Sequence, residues 1–241
     1  MKKVLITGAN KSIGFETARQ LLQKGYFVYL GARDLAKGKA AADKLKAEGL
    51  TDVEAIRIDV TNPISIEAAS KQIDSLDILI NNAGISGGFP QSALDINTDI
   101  IREAFDTNFF GVINVTKAFL DTLKKSDEPR IVNVTSGLGS LTLHSDPNWK
   151  YYKVKGAAYG PSKTALNAYT VVLAYELKDT AFKVNVVDPG YTATDFNHHR
   201  GPGSIEDAAT RLVKCAMIPA DGPTGQYFSD DNNEETGISP W

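Results

Sequence analysis

Val4-Leu5-Ile6-Thr7-Gly8-Ala9-Asn10-Lys11-Ser12-Ile13-Gly14 follows directly on Met1-Lys2-Lys3. Its first part is a short apolar run of strand character, Gly8 permits a tight turn, and from Ser12 the residues Ile13, Thr17 and Leu21 share one face of a helix that Gly25 closes. A strand feeding a helix through such a turn presents backbone N–H groups and a partial positive charge to an anion. Gly14 lets helix and strand approach closely. The stretch therefore predicts a β-α unit whose turn, through Gly8, Asn10, Lys11, Ser12, Ile13 and Gly14, holds a pyrophosphate. Read alone, it also admits a plain β-α turn with glycine as punctuation.

Outward from this unit the same alternation continues. Strands are expected at Val4–Thr7, Phe27–Gly31, Val53–Asp59, Leu76–Ile80, Arg130–Thr135 and Lys183–Val187, with a weak one at Gln226–Phe228. Most are continuously apolar, as strands buried on both faces are. Helical periodicity fits Ser12–Lys24, Leu35–Glu48, Ile64–Ser75, Asp99–Lys125, Tyr159–Lys178 and Ile205–Lys214. The order predicts an α/β fold: a doubly wound parallel sheet of about seven strands with helices on both faces. At 241 residues, 42% hydrophobic and 23% charged, the chain suits one domain over residues 1–241.

Ligands of such sheets bind beyond the carboxyl ends of the strands, so the residues just after each strand come next. Strand two ends in Gly31-Ala32-Arg33-Asp34, where a dinucleotide fold meets the adenosine ribose. A carboxylate there suits the 2′-hydroxyl of NAD, whereas the planar fork of Arg33 suits the 2′-phosphate of NADP, with Lys11 as a second charge. NADP(H) is the expected cofactor; the alternative makes Asp34 the ribose ligand. Asp59-Val60 and Asn82-Ala83-Gly84 end strands three and four at the same crevice, where Asn82 and Gly84 suit close contact with a flat ligand. Ser136 follows strand five. Tyr159 and Lys163 stand at i and i+4 on a helix, so the ammonium lies near the phenol and is expected to lower its pKa for acid-base work.

Assembled, these residues resemble the short-chain dehydrogenase/reductases, NAD(P)-dependent oxidoreductases on a one-domain Rossmann fold. Thr7-Gly8 to Gly14, Asp59-Val60, Asn82-Ala83-Gly84, Asn108, Ser136, Tyr159 with Lys163, and Pro189-Gly190 occur in the family's order across nearly the whole chain. Ala32-Arg33-Asp34, Asn108-Phe109-Phe110-Gly111, Pro189-Gly190-Tyr191 with Thr194-Asp195, and Gly225-Gln226 are similar to the NADPH-dependent carbonyl reductases. The resemblance implies a tetrad of Asn108, Ser136, Tyr159 and Lys163. In it Tyr159 donates a proton to the carbonyl oxygen, Ser136 holds that oxygen, Lys163 bonds the nicotinamide ribose, and Asn108 positions a water that links the lysine to solvent. It also implies that Pro189, Gly190, Tyr191 and Thr192 close over the nicotinamide end, with residues 191–215 as a substrate-loop region.

Two departures from the family pattern stand out. Ser12 replaces a central glycine; its β-carbon strains the backbone if φ must be positive, at about 1 to 3 kcal/mol, although serine suits a helix N-cap. Binding is expected to survive. The stretch Leu143–Tyr152 lengthens the loop between Ser136 and Tyr159, and either walls the substrate pocket with Trp149 or Tyr152 or covers the helix face through which family members associate. Monomer and homo-oligomer both stay open.

Other classes fit poorly. Lys and Arg number 26 against 29 Asp and Glu, for a formal charge of -3, so no nucleic-acid or anionic-membrane footprint is present. Cys215 is the single cysteine, which fits a reducing compartment, and no apolar run approaches the roughly 20 residues a bilayer span needs; a cytoplasmic protein is expected. His198-His199 lacks a third ligand, the acidic run Asp230–Glu235 lacks calcium-loop spacing, and Ser136 lacks a hydrolase elbow, so no metal is expected. The expected activity is NADPH-dependent reduction of a ketone, aldehyde or quinone-type carbonyl to an alcohol. Two alternatives share the fold: an NAD-dependent alcohol or hydroxysteroid dehydrogenase, and a non-catalytic NADP(H)-binding sensor.

Overall fold

The computed structural model describes residues 1–241. Seven parallel strands form one sheet in the order β3-β2-β1-β4-β5-β6-β7. They are β1 Lys3–Ile6, β2 Phe27–Ala32, β3 Val53–Arg57, β4 Ile78–Asn81, β5 Arg130–Val134, β6 Lys183–Val187 and the short β7 Tyr227–Phe228. The helices are α1 Ser12–Gln23, α2 Leu35–Ala47, α3 Pro63–Ser70, α4 Thr98–Phe105, α5 Gly111–Leu123, α6 Leu141–His144, α7 Tyr159–Glu176 and α8 Ile205–Ala216.

The continuous apolar character of the strands has a direct packing cause. Val4 and Ile6 point into a core with Leu21, Leu45 and Leu212 of α1, α2 and α8. Leu5 between them points the other way, into a core with Ile66, Phe119 and Leu173 of α3, α5 and α7. Both faces are therefore covered, and each fully buried Leu or Ile contributes about 1.5 to 3 kcal/mol relative to exposure. Strand order reverses between β1 and β4, and this switch point opens a crevice at their carboxyl ends.

Several elements differ from the sequence expectation: β3 stops at Arg57 instead of Asp59, and the short helix α6 is additional. Helix α3 stops at Ser70 instead of Ser75, because Ile73 and Leu76 must both turn into the core, where each is buried. Strand β4 correspondingly begins two residues late, at Ile78. The helix expected over Asp99–Lys125 is interrupted by a π-helical segment, Asp106–Phe110, between α4 and α5. Gly111 packs where a side chain would meet Val60 and the Asp106 carbonyl, each at 3.0 Å. The wider turn carries Asn108 inward, and such π segments recur at functional sites.

Candidate active site

The turn after β1 is built by backbone contacts that only glycine permits. Gly8 has φ 64, and a β-carbon on Gly14 would stand 2.5 Å from Asn82 Nδ2. Asn82 Nδ2 donates to the carbonyls of Thr7 (2.9 Å) and Gly8 (3.2 Å), while the amides of Asn82 and Ala83 both donate to Thr7 Oγ1 at 3.0 Å. The end of β4 thus clamps the glycine turn from behind, a structural duty beyond the ligand contact expected of Asn82. At the mouth of the turn α1 has no side-chain cap and no acidic residue in its first turn. Its first amides are free donors facing the crevice, which suits a pyrophosphate.

Ser12 lies in the left-handed region at φ 51. The strain expected for this position is therefore present, but the capping rationale does not hold: Lys11 occupies the N-cap position, and no side chain caps the helix. Ser12→Gly is expected to raise stability by about 1 kcal/mol. NADPH affinity should change less than about tenfold. Thermal melting and cofactor titration check the pair, and a larger gain in affinity would mark the serine as an obstacle.

Arg33 stands exposed at the end of β2, without an ion-pair partner. Asp34 beside it caps α2, accepting from the amides of Ala36 (2.9 Å) and Lys37 (3.2 Å). The carboxylate that would mark an NAD site is thus engaged in holding a helix, and the guanidinium is free. Lys11 Nζ pairs with Asp195 Oδ2 at 2.9 Å, so it ties the glycine turn to the 191–203 loop. Asp59 accepts from both the amide and hydroxyl of Thr61, at 3.0 and 2.8 Å, which fixes the turn that carries Val60.

Ser136, Tyr159, Lys163 and Asn108 come together at the ends of β5 and β4. The Ser136 hydroxyl meets the Tyr159 phenol, which lowers the phenol's pKa; burial outweighs this, and the net displacement is upward from the usual tyrosine value. Lys163 is buried, donates to the Val134 carbonyl at 2.7 Å, and is pulled by burial down to about 8. Its Nζ lies 5.9 Å from the Tyr159 ring centre. Desolvation is the largest cause for both groups, upward for the phenol and downward for the ammonium.

Asn108 is held by three hydrogen bonds. Its Oδ1 accepts from the Ile85 amide at 2.9 Å, and its Nδ2 donates to the Ile85 carbonyl at 2.9 Å and to Ser162 Oγ at 3.0 Å. Its side chain thus pins the segment after Gly84 to α7. Gly84 keeps that segment close: a β-carbon there would stand 3.2 Å from Asn108 Oδ1 and 3.7 Å from Lys163 Nζ.

Three residues absent from the sequence reading shape the site. Gln91, buried in the loop after β4, accepts from the amides of Ala158 (3.0 Å) and Tyr159 (3.2 Å) through Oε1. It thereby caps α7, whose own N-cap residue offers no side-chain bond. Its Nε2 donates to the carbonyls of Ser86 and Gly88, each at 2.6 Å. Gln91→Ala leaves two buried amides at the foot of Tyr159 unpaired, with an expected cost of about 1–3 kcal/mol. A fall of about tenfold in kcat is expected, from displacement of the phenol. Steady-state kinetics beside a melting curve checks both.

Phe196 packs edge-on against Tyr159 with ring centres 5.2 Å apart. It sits in a strap, Thr194–Arg200, closed by the Thr194–Asn197 capping box and by His199 Nε2 against Asp195 Oδ1 at 3.0 Å. Asp188, the third, is buried just before Pro189-Gly190. Gly190 takes φ 80, and Thr192 is buried with its hydroxyl on the Gly190 carbonyl at 3.2 Å. The Leu143–Tyr152 stretch docks on the carboxyl-terminal segment. Trp149 Nε1 donates to Asn232 Oδ1 at 3.3 Å, Lys150 pairs with Asp231, and Tyr151 meets Tyr191 with ring centres 5.9 Å apart. The aromatic facing the substrate loop is therefore Tyr151; Tyr152 is exposed under Lys155.

The family model described as short chain dehydrogenase matches residues 2–204. The chain belongs to the short-chain dehydrogenase family. It is 32% identical to salutaridine reductase of Papaver bracteatum, over 95% of this chain and 94% of that protein. It is 33% identical to (+)-neomenthol dehydrogenase of Capsicum annuum, over 93% of this chain and 94% of that one. The fold superposes with a TM-score of 0.83 on a carbonyl reductase from chicken fatty liver with NADPH bound, at 25% identity, covering 100% of this chain and 99% of that chain. The expected α/β Rossmann fold, single sheet and oxidoreductase family are thus met. No helix is long and apolar enough to cross a membrane.

Proposed function

We propose that this short-chain dehydrogenase is an NADP(H)-dependent carbonyl reductase in which Tyr159 donates the proton. The observation that carries the reading is the convergence of Ser136, Tyr159 and buried Lys163 at the crevice that opens beside the uncapped N-terminus of α1. The free amides of α1 at Ser12 and Ile13, with Asn10 beside them, suit the pyrophosphate. Arg33 suits the 2′-phosphate, since Asp34 is committed to α2. Asp59, Val60 and Ala83 border the adenine and ribose side, and Pro189, Gly190 and Thr192 border the nicotinamide side. The bound cofactor supplies a hydride to the carbonyl carbon.

The chain's own groups do the rest. The Ser136 hydroxyl donates to the carbonyl oxygen and stabilises the charge that develops there. The phenol of Tyr159, kept protonated by burial, gives its proton to the same oxygen. Lys163, cationic below about pH 8, offers its ammonium to ribose hydroxyls and to the phenolate left behind. Phe196 and Tyr191, on the 191–215 substrate-loop region, and Tyr151 offer aromatic surface beside Tyr159. The substrate is accordingly a ketone, aldehyde or quinone with a substantial apolar body.

The test uses NADPH deuterated at the transferring position, with mass spectrometry of the alcohol formed from aromatic and alicyclic ketones. One deuterium on the carbinol carbon is expected. Cofactor that binds but transfers no label to any carbonyl overturns the reading.

A further inference from the structure

Ser136 leaves the sheet where the strand ladder stops holding it. The Thr135 amide, on the Val187 carbonyl at 2.9 Å, makes the final bond from β5 to β6. Ser136 follows in extended backbone, and the chain then turns through Gly137-Leu138-Gly139. A three-residue turn with two glycines holds its own shape poorly, since glycine is the residue least confined by sterics. The place of the Ser136 hydroxyl therefore depends on what grips this turn from outside.

The segment from Tyr227 to Trp241 supplies the grip. Tyr227 stands on β7 at the sheet edge, paired with Val186 of β6, so its phenol reaches across β6 to the end of β5. The residue is 1% exposed, and its hydroxyl donates to the Ser136 carbonyl at 2.6 Å. The same carbonyl accepts from the Gly139 amide at 2.8 Å, which closes the turn on itself. Asn232 packs on Gly137, where a β-carbon would stand 3.1 Å from Nδ2, and that Nδ2 donates to Ser239 Oγ at 3.2 Å. Beyond the turn, buried Ser140 donates through Oγ to the Pro240 carbonyl at 2.7 Å, and the Thr142 amide donates to the Trp241 carbonyl at 3.1 Å. The ring of contacts closes on Tyr227 itself: the Ser239 amide donates to its carbonyl at 2.8 Å, and the Trp241 ring centre lies 5.5 Å from its own. All the gripping residues lie beyond residue 204, where the match to the short chain dehydrogenase model ends.

We propose that Tyr227 is a positioning residue for Ser136: its hydroxyl, clasped by the 239–241 segment, fixes the backbone from which the serine hydroxyl reaches the carbonyl oxygen of the substrate. The inference rests on the reading of Ser136 as the group that holds that oxygen. A donor aimed at developing charge works only in place, and a displacement of about 1 Å costs up to about 100-fold in rate. An interaction realised in the transition state is lost from kcat and leaves cofactor binding alone.

Tyr227→Phe removes the hydroxyl and keeps the ring on Trp241. The Ser136 carbonyl keeps its bond from the Gly139 amide, so the variant is expected to fold. In single-turnover reduction of a carbonyl by NADPH, its rate is expected to fall about tenfold, with Kd for NADPH unchanged. In a Ser136→Ala background the same substitution is expected to change the rate less than about twofold, because no serine hydroxyl is left to place. A tenfold loss in both backgrounds, which a general loosening of the fold would produce, overturns the proposal, as does no loss in either. A second readout needs no turnover. With 13C at serine carbonyls and 15N at glycine, the labelled pairs are the Ser86–Gly87 and Ser136–Gly137 steps. In Tyr227→Phe the Ser136 carbonyl signal is expected to move and the Ser86 signal to stay. A Ser136 signal that stays in place refutes the clasp, whereas a parent protein that reduces no carbonyl while that signal still moves in the variant counts against the reductase reading and not against the clasp.

Discussion

Replacing Tyr159 with Phe is expected to lower kcat for carbonyl reduction about 1,000-fold while leaving NADPH affinity within a few-fold of the original. The substitution removes only the hydroxyl. The ring keeps its packing against Phe196, and α7 keeps its cap from Gln91, because Gln91 bonds the backbone amides of Ala158 and Tyr159. What disappears is the proton donor and its contact with Ser136. Rate and binding measured on the same preparation check the prediction. A variant that still turns over at a tenth of the original rate would show that another group delivers the proton.

Arg33→Ala is the second large effect, and it falls on the cofactor instead of the chemistry. A free guanidinium bonding a phosphate contributes on the order of 1.5–3 kcal/mol, so Kd for NADPH is expected to rise about 100-fold. Kd for NADH, which has no 2′-phosphate, is expected to move little. Lys11 offers partial compensation only, since its ammonium is already bonded to Asp195 at 2.9 Å. Titration of both cofactors against both proteins decides the point. Equal losses for NADPH and NADH would place Arg33 outside the phosphate site and return the ribose to Asp34.

The sheet was legible because its chemistry is local. Val4, Leu5 and Ile6 are all apolar for the simple reason that helices cover both faces, and the reader of the sequence meets that pattern again at Ile78 and Ile131. The glycine turn was legible for a similar reason: Gly8 at φ 64 and Gly14 against Asn82 are positions where a β-carbon does not fit. Gln91 and Asp188 were not legible as part of the site, since each acts through hydrogen bonds to residues far along the chain. Phe196 lies in a loop tied to the glycine turn by the Lys11–Asp195 pair, which joins residues 184 positions apart. The π segment at Asp106–Phe110 was hidden because a helical period carries through it, and only the burial of Asn108 reveals the added residue. The influence of burial on Tyr159 and Lys163 was hidden for a related reason: spacing on a helix places the two near one another but does not report their desolvation.

The most direct test is the steady-state rate of NADPH and NADH oxidation over a panel of aromatic aldehydes, alicyclic ketones and quinones, with Tyr159→Phe run in parallel. Turnover of at least one apolar carbonyl is expected, faster with NADPH than with NADH and lost in the variant. Tight NADPH binding with no turnover on any carbonyl would contradict it and make the chain a cofactor-binding sensor.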